Sequence, residues 1–167
     1  IVSRNYTGSG FLELGIGSGT NTAALGADEF YLYDGPNFTG FYNKEISNDP
    51  FNNGFDTSWD RETRSTPINS NISLKGGDSY NIGENSRLNF FAVGSFSNGN
   101  SYREGLNQGA PNLGTALPNS EFDYQKYSYT TATTLMGNVG LRLGTANDIK
   151  YNFLMLNNSE LIIASVK

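Results

Sequence analysis

The residues able to do covalent or metal chemistry are few. The chain of 167 residues has no Cys and no His. A thiol nucleophile, a disulfide framework, a Cys/His zinc site and a Ser-His-Asp triad are therefore excluded. Asp56 and Asp60 are carboxylates close in sequence, but a calcium loop needs regularly spaced oxygen ligands around a glycine turn, and none appears. Paired carboxylates for glycoside hydrolysis cannot be assigned from spacing alone. Gly15-x-Gly17-x-Gly19 has the look of a phosphate cradle. That chemistry needs a helix to open directly after it, and Thr20-Asn21-Thr22 gives no sign of one. Glycines on one strand face instead leave room for something packed closely against it. No catalytic residue, metal site or cofactor site is expected, and the chain does not read as an enzyme.

Recognition chemistry is better represented. Tyr102-Arg103-Glu104 stands in a polar stretch, and Tyr and Arg are frequent anchors of binding. Trp59 lies in the densest charged stretch, with Asp56, Asp60, Arg61, Glu62 and Arg64, where an indole could stack on a sugar. Trp59, Tyr102, Arg103 and Glu104 are thus the candidate ligand contacts. A local Arg–Glu pair and a plain solvated loop are the competing readings. Asn5-Tyr6-Thr7, Asn37-Phe38-Thr39, Asn71-Ile72-Ser73 and Asn157-Asn158-Ser159 match glycosylation sequons, as chance provides in so Asn-rich a chain. With 11 Lys+Arg against 16 Asp+Glu, the net charge is −5, and no basic cluster occurs. Nucleic acid is not an expected partner.

The elements that carry these residues are strands. Gly and Tyr are abundant and strong helix formers thin, which points to an all-β chain rich in turns. Period-2 alternation marks five segments. In 9–22, Leu12, Leu14 and Ile16 oppose Glu13, Gly15 and Gly17. In 66–82, Ile68, Ile72, Leu74, Tyr80 and Ile82 share a face with Ser70 and Asp78. In 87–98, Leu88, Phe90, Ala92, Gly94 and Phe96 share one face. In 124–143, Tyr127, Tyr129, Leu135, Val139, Leu141 and Leu143 oppose Ser128, Asn138 and Arg142. In 149–163, Ile149, Tyr151 and Phe153 oppose Lys150 and Asn152, before Leu154 to Leu156 turns apolar on both faces.

Strands in soluble proteins average about 5–6 residues, and a tilted strand needs about 9–11 to cross a bilayer; the segments 66–82 and 124–143 run to roughly 15–20. No apolar run is long enough for a transmembrane helix. The mean hydropathy of −0.44 does not bear against a membrane barrel, whose strands are apolar on one face only. The connections alternate: a long one over 23–65, a short one over 83–86, a long one over 99–123, a short one over 144–148. Up-and-down strands then place long loops at one end and tight turns at the other, as outer-membrane barrels do. Tyr124, Tyr127 and Tyr129 read as an aromatic girdle or as cross-strand packing, with Tyr6, Tyr151 and Phe153 as a second girdle. Five strands cannot close such a barrel, and an open edge in lipid leaves costly unpaired backbone groups. The chain is expected to be one sector of a larger wall, completed by further strands or other chains.

Several stretches also resemble a known family. Gly8-Ser9-Gly10-Phe11 through Gly15-Ile16-Gly17-Ser18-Gly19-Thr20-Asn21-Thr22 is similar to the first barrel strand after the plug in TonB-dependent outer-membrane receptors of the Bacteroidetes type. Asn89-Phe90-Phe91-Ala92-Val93-Gly94-Ser95-Phe96-Ser97-Asn98 with Ser101-Tyr102-Arg103-Glu104-Gly105 resembles a strand and outer-loop start of the same group. Phe122-Asp123-Tyr124-Gln125-Lys126-Tyr127-Ser128-Tyr129 and Met136-Gly137-Asn138 continue it in order. The resemblance spans about residues 8–158 and rests on the ordered set. It implies a Gram-negative outer-membrane location and a barrel of usually 22 strands around an N-terminal plug. It also implies import of scarce ligands driven through TonB. The matching part is the early barrel alone, without the plug and the TonB-contacting region. The implied partners are outer-membrane lipid, the remaining barrel strands and the plug, with TonB reached only through that N-terminal region. The rival expectation is a soluble extracellular β-sandwich for carbohydrate binding or adhesion, with the same apolar rows buried against a second sheet.

Overall fold

The computed structural model describes residues 6–33, 38–41, 61–64, 68–109, 114 and 120–166. Among these residues the chain is all-β apart from one short helix. Its elements are β1 (Phe11–Thr20), α1 (Thr22–Gly26), β2 (Phe30–Tyr33), β3 (Arg61–Arg64), β4 (Ile68–Asn81), β5 (Arg87–Gln108), β6 (Glu121–Leu143) and β7 (Asn147–Val166). The five long strands form one sheet in the order β1-β4-β5-β6-β7, and β2 and β3 form a separate two-stranded sheet. Contacts divide the chain into one unit of Ile1–Ser18, Ser70–Ser97 and Thr131–Asn158, and another of Gly19–Asn69, Asn98–Thr130 and Ser159–Lys167.

The alternation explains the sheet. Between β1 and β4, Lys75 meets Glu13 at 2.9 Å, and Gly15 and Gly17 lie against Ser73 and Asn71. The number on one strand rises as the other falls, so the pair is antiparallel. β5 and β6 follow the same rule. Gly94 sits beside Leu135, Gly99 beside Thr130 and Gly105 beside Tyr124, and Gln108 Nε2 donates to Glu121 Oε2 at 3.0 Å.

The short connections need glycine. Gly83 and Gly144 have φ of 83° and 66°, in the left-handed region where a Cβ meets the following carbonyl. At the first turn the Ile82 amide donates to the Ser86 carbonyl at 2.7 Å. At the second the Gly144 amide donates to Ser86 Oγ at 3.2 Å. Gly83→Ala and Gly144→Ala are each expected to lower stability by about 1–2 kcal/mol in equilibrium denaturant unfolding. Gly19→Ala is the control: its added Cβ meets nothing within 4 Å, and no loss is expected there.

Four details depart from the sequence expectation. β5 runs on to Gln108, past the end expected at residue 98. Asn98 and Asn100 keep the backbone extended by donating their side-chain amides to the Ile68 carbonyl at 3.0 and 3.1 Å. The Asn100 backbone N–H also donates to Asn69 Oδ1 at 2.6 Å. β6 begins at Glu121, which shortens the second long connection. The first long connection holds α1, β2 and β3, with Phe30 opposite Arg64 and Tyr33 opposite Arg61 in antiparallel register. Finally, a helix does follow the Gly15-x-Gly17-x-Gly19 run, contrary to expectation. It has five residues, and Asn21 Oδ1 caps it by accepting from the Ala23 and Ala24 amides at 3.0 and 3.3 Å. Its leading donors are thereby occupied, and one turn of helix carries little dipole, so phosphate binding gains no support.

Candidate functional site

Burial in the first unit is inverted. Its rows of aliphatic side chains are exposed: Leu12 is 78 % accessible, Leu14 62 % and Ile16 75 %. Ile72, Leu74, Leu135, Val139, Ile149, Tyr151 and Phe153 are exposed too, while Leu141 is half-buried. The side chains buried in this unit are polar: Asn89, Asn138 and Thr131. Every buried apolar residue among the described residues lies in the second unit. Strand alternation is what sorts the two sets. Face contacts confirm the sorting, because a Cβ on Gly76 would meet Leu12 Cδ1, and one on Gly94 would meet Leu135 Cδ2.

The opposite face is hydrophilic around an aromatic knot. Glu13 pairs with Lys75, and Asn138 Nδ2 donates to Asn152 Oδ1 at 2.5 Å. Arg87 Nη2 donates to the Thr7 carbonyl and to Ser79 Oγ. Tyr6 packs on Phe11 and Phe91 with ring centroids 5.4 and 6.2 Å away. Tyr6 is therefore bound up with this knot, away from the exposed aromatics Tyr80, Phe90, Tyr151 and Phe153. Tyr80 and Phe90 stack at 6.3 Å. Asn89 Oδ1 and Asn138 Oδ1 have no hydrogen-bond partner among the described residues.

On the apolar face a trough of about 820 Å³ crosses the strands. Gly76, Ala92, Gly94 and Gly137 leave it open, Leu12, Leu74, Leu135, Phe90 and Phe153 line it, and Asp78 is its one ionisable side chain.

The second unit carries the described candidate ligand contacts. Tyr102 lies 4.9 Å from Tyr127, ring to ring. Phe30 and Tyr31 meet Tyr127 edge-on at 5.6 and 5.4 Å. Ala24, Leu32, Tyr129 and Leu161 complete the cluster, and Tyr129 donates its hydroxyl to the Phe38 carbonyl at 2.7 Å. Tyr127 and Tyr129 are thus packing residues covered by β2 and α1, and the girdle expectation fails for both. Arg61 lies over the Tyr31 ring at 5.9 Å, and Tyr31 donates its hydroxyl to Glu29.

The Tyr102 hydroxyl donates to Glu104 Oε2 at 2.6 Å and accepts from Gln125 Nε2 at 3.2 Å. Tyr102 and Glu104 share a strand face, while the alternation sends the exposed Arg103 to the other. The motif therefore splits, and Glu104 is engaged by Tyr102. Trp59 lies outside the described residues.

The hydrogen bond to Glu104 pushes the Tyr102 phenol up to about 12, with desolvation adding to it. Folding thus favours the neutral phenol. Its contribution is full below pH 10 and is lost as pH rises through about 12. Absorbance titration of tyrosinate is expected to show one phenol ionising near 12 in the wild type. In Glu104→Gln that phenol should ionise nearer 10.

The described residues contain no group of three or more His, Cys, Asp or Glu able to hold a metal ion. No helix among them is long and apolar enough to cross a membrane, which says nothing of strands. No family model, no curated protein and no solved structure matches the chain.

Proposed function

We propose that the chain is a sector of an outer-membrane β-barrel wall, belonging to a TonB-dependent receptor of a Gram-negative bacterium that takes up nutrients. The inverted burial of the first unit carries the membrane part of this reading. Water does not favour a sheet that exposes Leu12, Leu14, Ile16, Leu135 and Val139 while burying Asn89 and Asn138. Hydrocarbon does, because aliphatic side chains facing lipid cost nothing and the polar face is kept from it. Strand length agrees: β1 has 10 residues and β4 to β7 have 14 to 23, enough to cross and, in the longer ones, to continue beyond. The outer edges of β1 and β7 are to be paired by further strands, since lipid offers backbone groups no partner. The assignment to the receptor class rests on the ordered sequence resemblance. In this reading the first unit gives lipid-facing wall and a polar lumen face. The second presents Arg103 and the Tyr102–Glu104 pair, and Trp59 is a further candidate contact.

Sedimentation velocity of the full chain, with and without nonionic detergent, tests the wall. It is expected to be monodisperse only in detergent. A monomer in plain buffer, with the aliphatic rows protected from a hydrophobic dye, would establish the β-sandwich reading instead.

A further inference from the structure

Asp78 is out of place on its face. It lies on β4 between Gly76 and Tyr80 and lines the apolar trough together with Leu12, Leu74, Phe90 and Phe153. The carboxylate is given room deliberately: a Cβ on Gly10 would stand 2.6 Å from Asp78 Oδ2. Oδ1 accepts the Ser79 amide at 2.7 Å. That amide brings no positive charge. An ionised side chain on a lipid-facing surface is costly and marks a functional position that calls for a charged partner.

We propose that the trough seats the alkyl chain of an ammonium-bearing amphiphile, with the ammonium on the Asp78 carboxylate. The inference rests on the wall reading and adds a ligand class to it. Charge complementarity selects the occupant: the walls are aliphatic and aromatic, and the one ionisable group is an anion. The volume of about 820 Å³ falls within the roughly 300–1,000 Å³ of small-ligand sites. Gly137 and Ala92 hold the floor low. A larger side chain at either would occupy the space an alkyl chain takes.

The probe is hexadecylammonium, compared with hexadecyl sulfate of equal chain length, added to the full chain in nonionic detergent at moderate salt. The wild type is expected to bind the ammonium at least tenfold more tightly than the sulfate. Asp78→Asn is expected to abolish that preference while leaving the circular dichroism unchanged. Gly137→Leu is expected to weaken binding of the ammonium at least fivefold with Asp78 intact. Equal binding of the two probes, or a preference that survives Asp78→Asn, would overturn the inference and leave the wall reading standing. Binding unchanged by Gly137→Leu would also overturn it, placing the amphiphile outside the trough. A chain that is monomeric without detergent overturns the wall reading and this inference with it.

Discussion

Leu135→Arg is expected to cost about 2–4 kcal/mol, the range for a cation placed on the lipid face near the bilayer midplane. Leu135 is exposed on β6 beside Gly94 of β5, in the middle of the aliphatic rows. In water such a substitution on an exposed strand position would change stability by no more than about 0.5 kcal/mol. The size of the effect therefore reads out the solvent that this face meets. Reversible unfolding from lipid vesicles, compared with unfolding from detergent micelles, measures it. Ser73→Arg, on the opposite face against Gly15, is the paired control, expected to be milder in both. Equal losses at the two positions would place both faces in the same surroundings.

Phe30→Ala is expected to be the largest loss in the second unit, about 3–5 kcal/mol. Phe30 is 3 % exposed and meets Tyr127 edge-on, so its removal leaves a cavity against Tyr127 and Leu32 and forfeits the ring pair. The effect should stay local. The near-ultraviolet circular dichroism of the tyrosine cluster is expected to collapse, while strand content measured in the far ultraviolet is kept. Loss of the whole sheet in Phe30→Ala would instead make the cluster essential for the long strands to pair.

The long strands were legible because their physics is local. A sheet with unlike surroundings on its two faces writes period 2 into the chain, and all five alternating segments are strands of one sheet in sequence order. The continuation of β5 was not legible. Asn98-Gly99-Asn100 reads as a turn by composition, and hydrogen bonds to Ile68 and Asn69, with one from Thr130 to the Gly99 carbonyl, hold it extended. β2 and β3 were invisible for a related reason. Phe30-Tyr31-Leu32-Tyr33 is apolar throughout, Arg61-Glu62-Thr63-Arg64 is polar throughout, and neither alternates. They pair across a long gap in sequence, and Phe30 and Leu32 are buried against β6 residues. α1 is too short to show a helical period. For the candidate contacts, residue type pointed to Tyr102 and Glu104, but alternation also sets Arg103 on the other face, which the tripeptide read as a cluster conceals. That Tyr127 would be buried depended on β2, so an aromatic row suited to an interface became a core.

β7 breaks the division of labour kept by its neighbours. Leu154 and Leu156 stand on the hydrophilic side yet are 60 % and 63 % accessible, while Ile149, Tyr151 and Phe153 are open on the other. It is also the last strand of the sheet. A ribbon sticky on both sides and along its margin is the natural template for another ribbon. Purified without detergent, the molecule should therefore zip to its own kind along this margin. A short synthetic peptide copying Leu154 to Leu161 would be the natural stopper for such chains of copies.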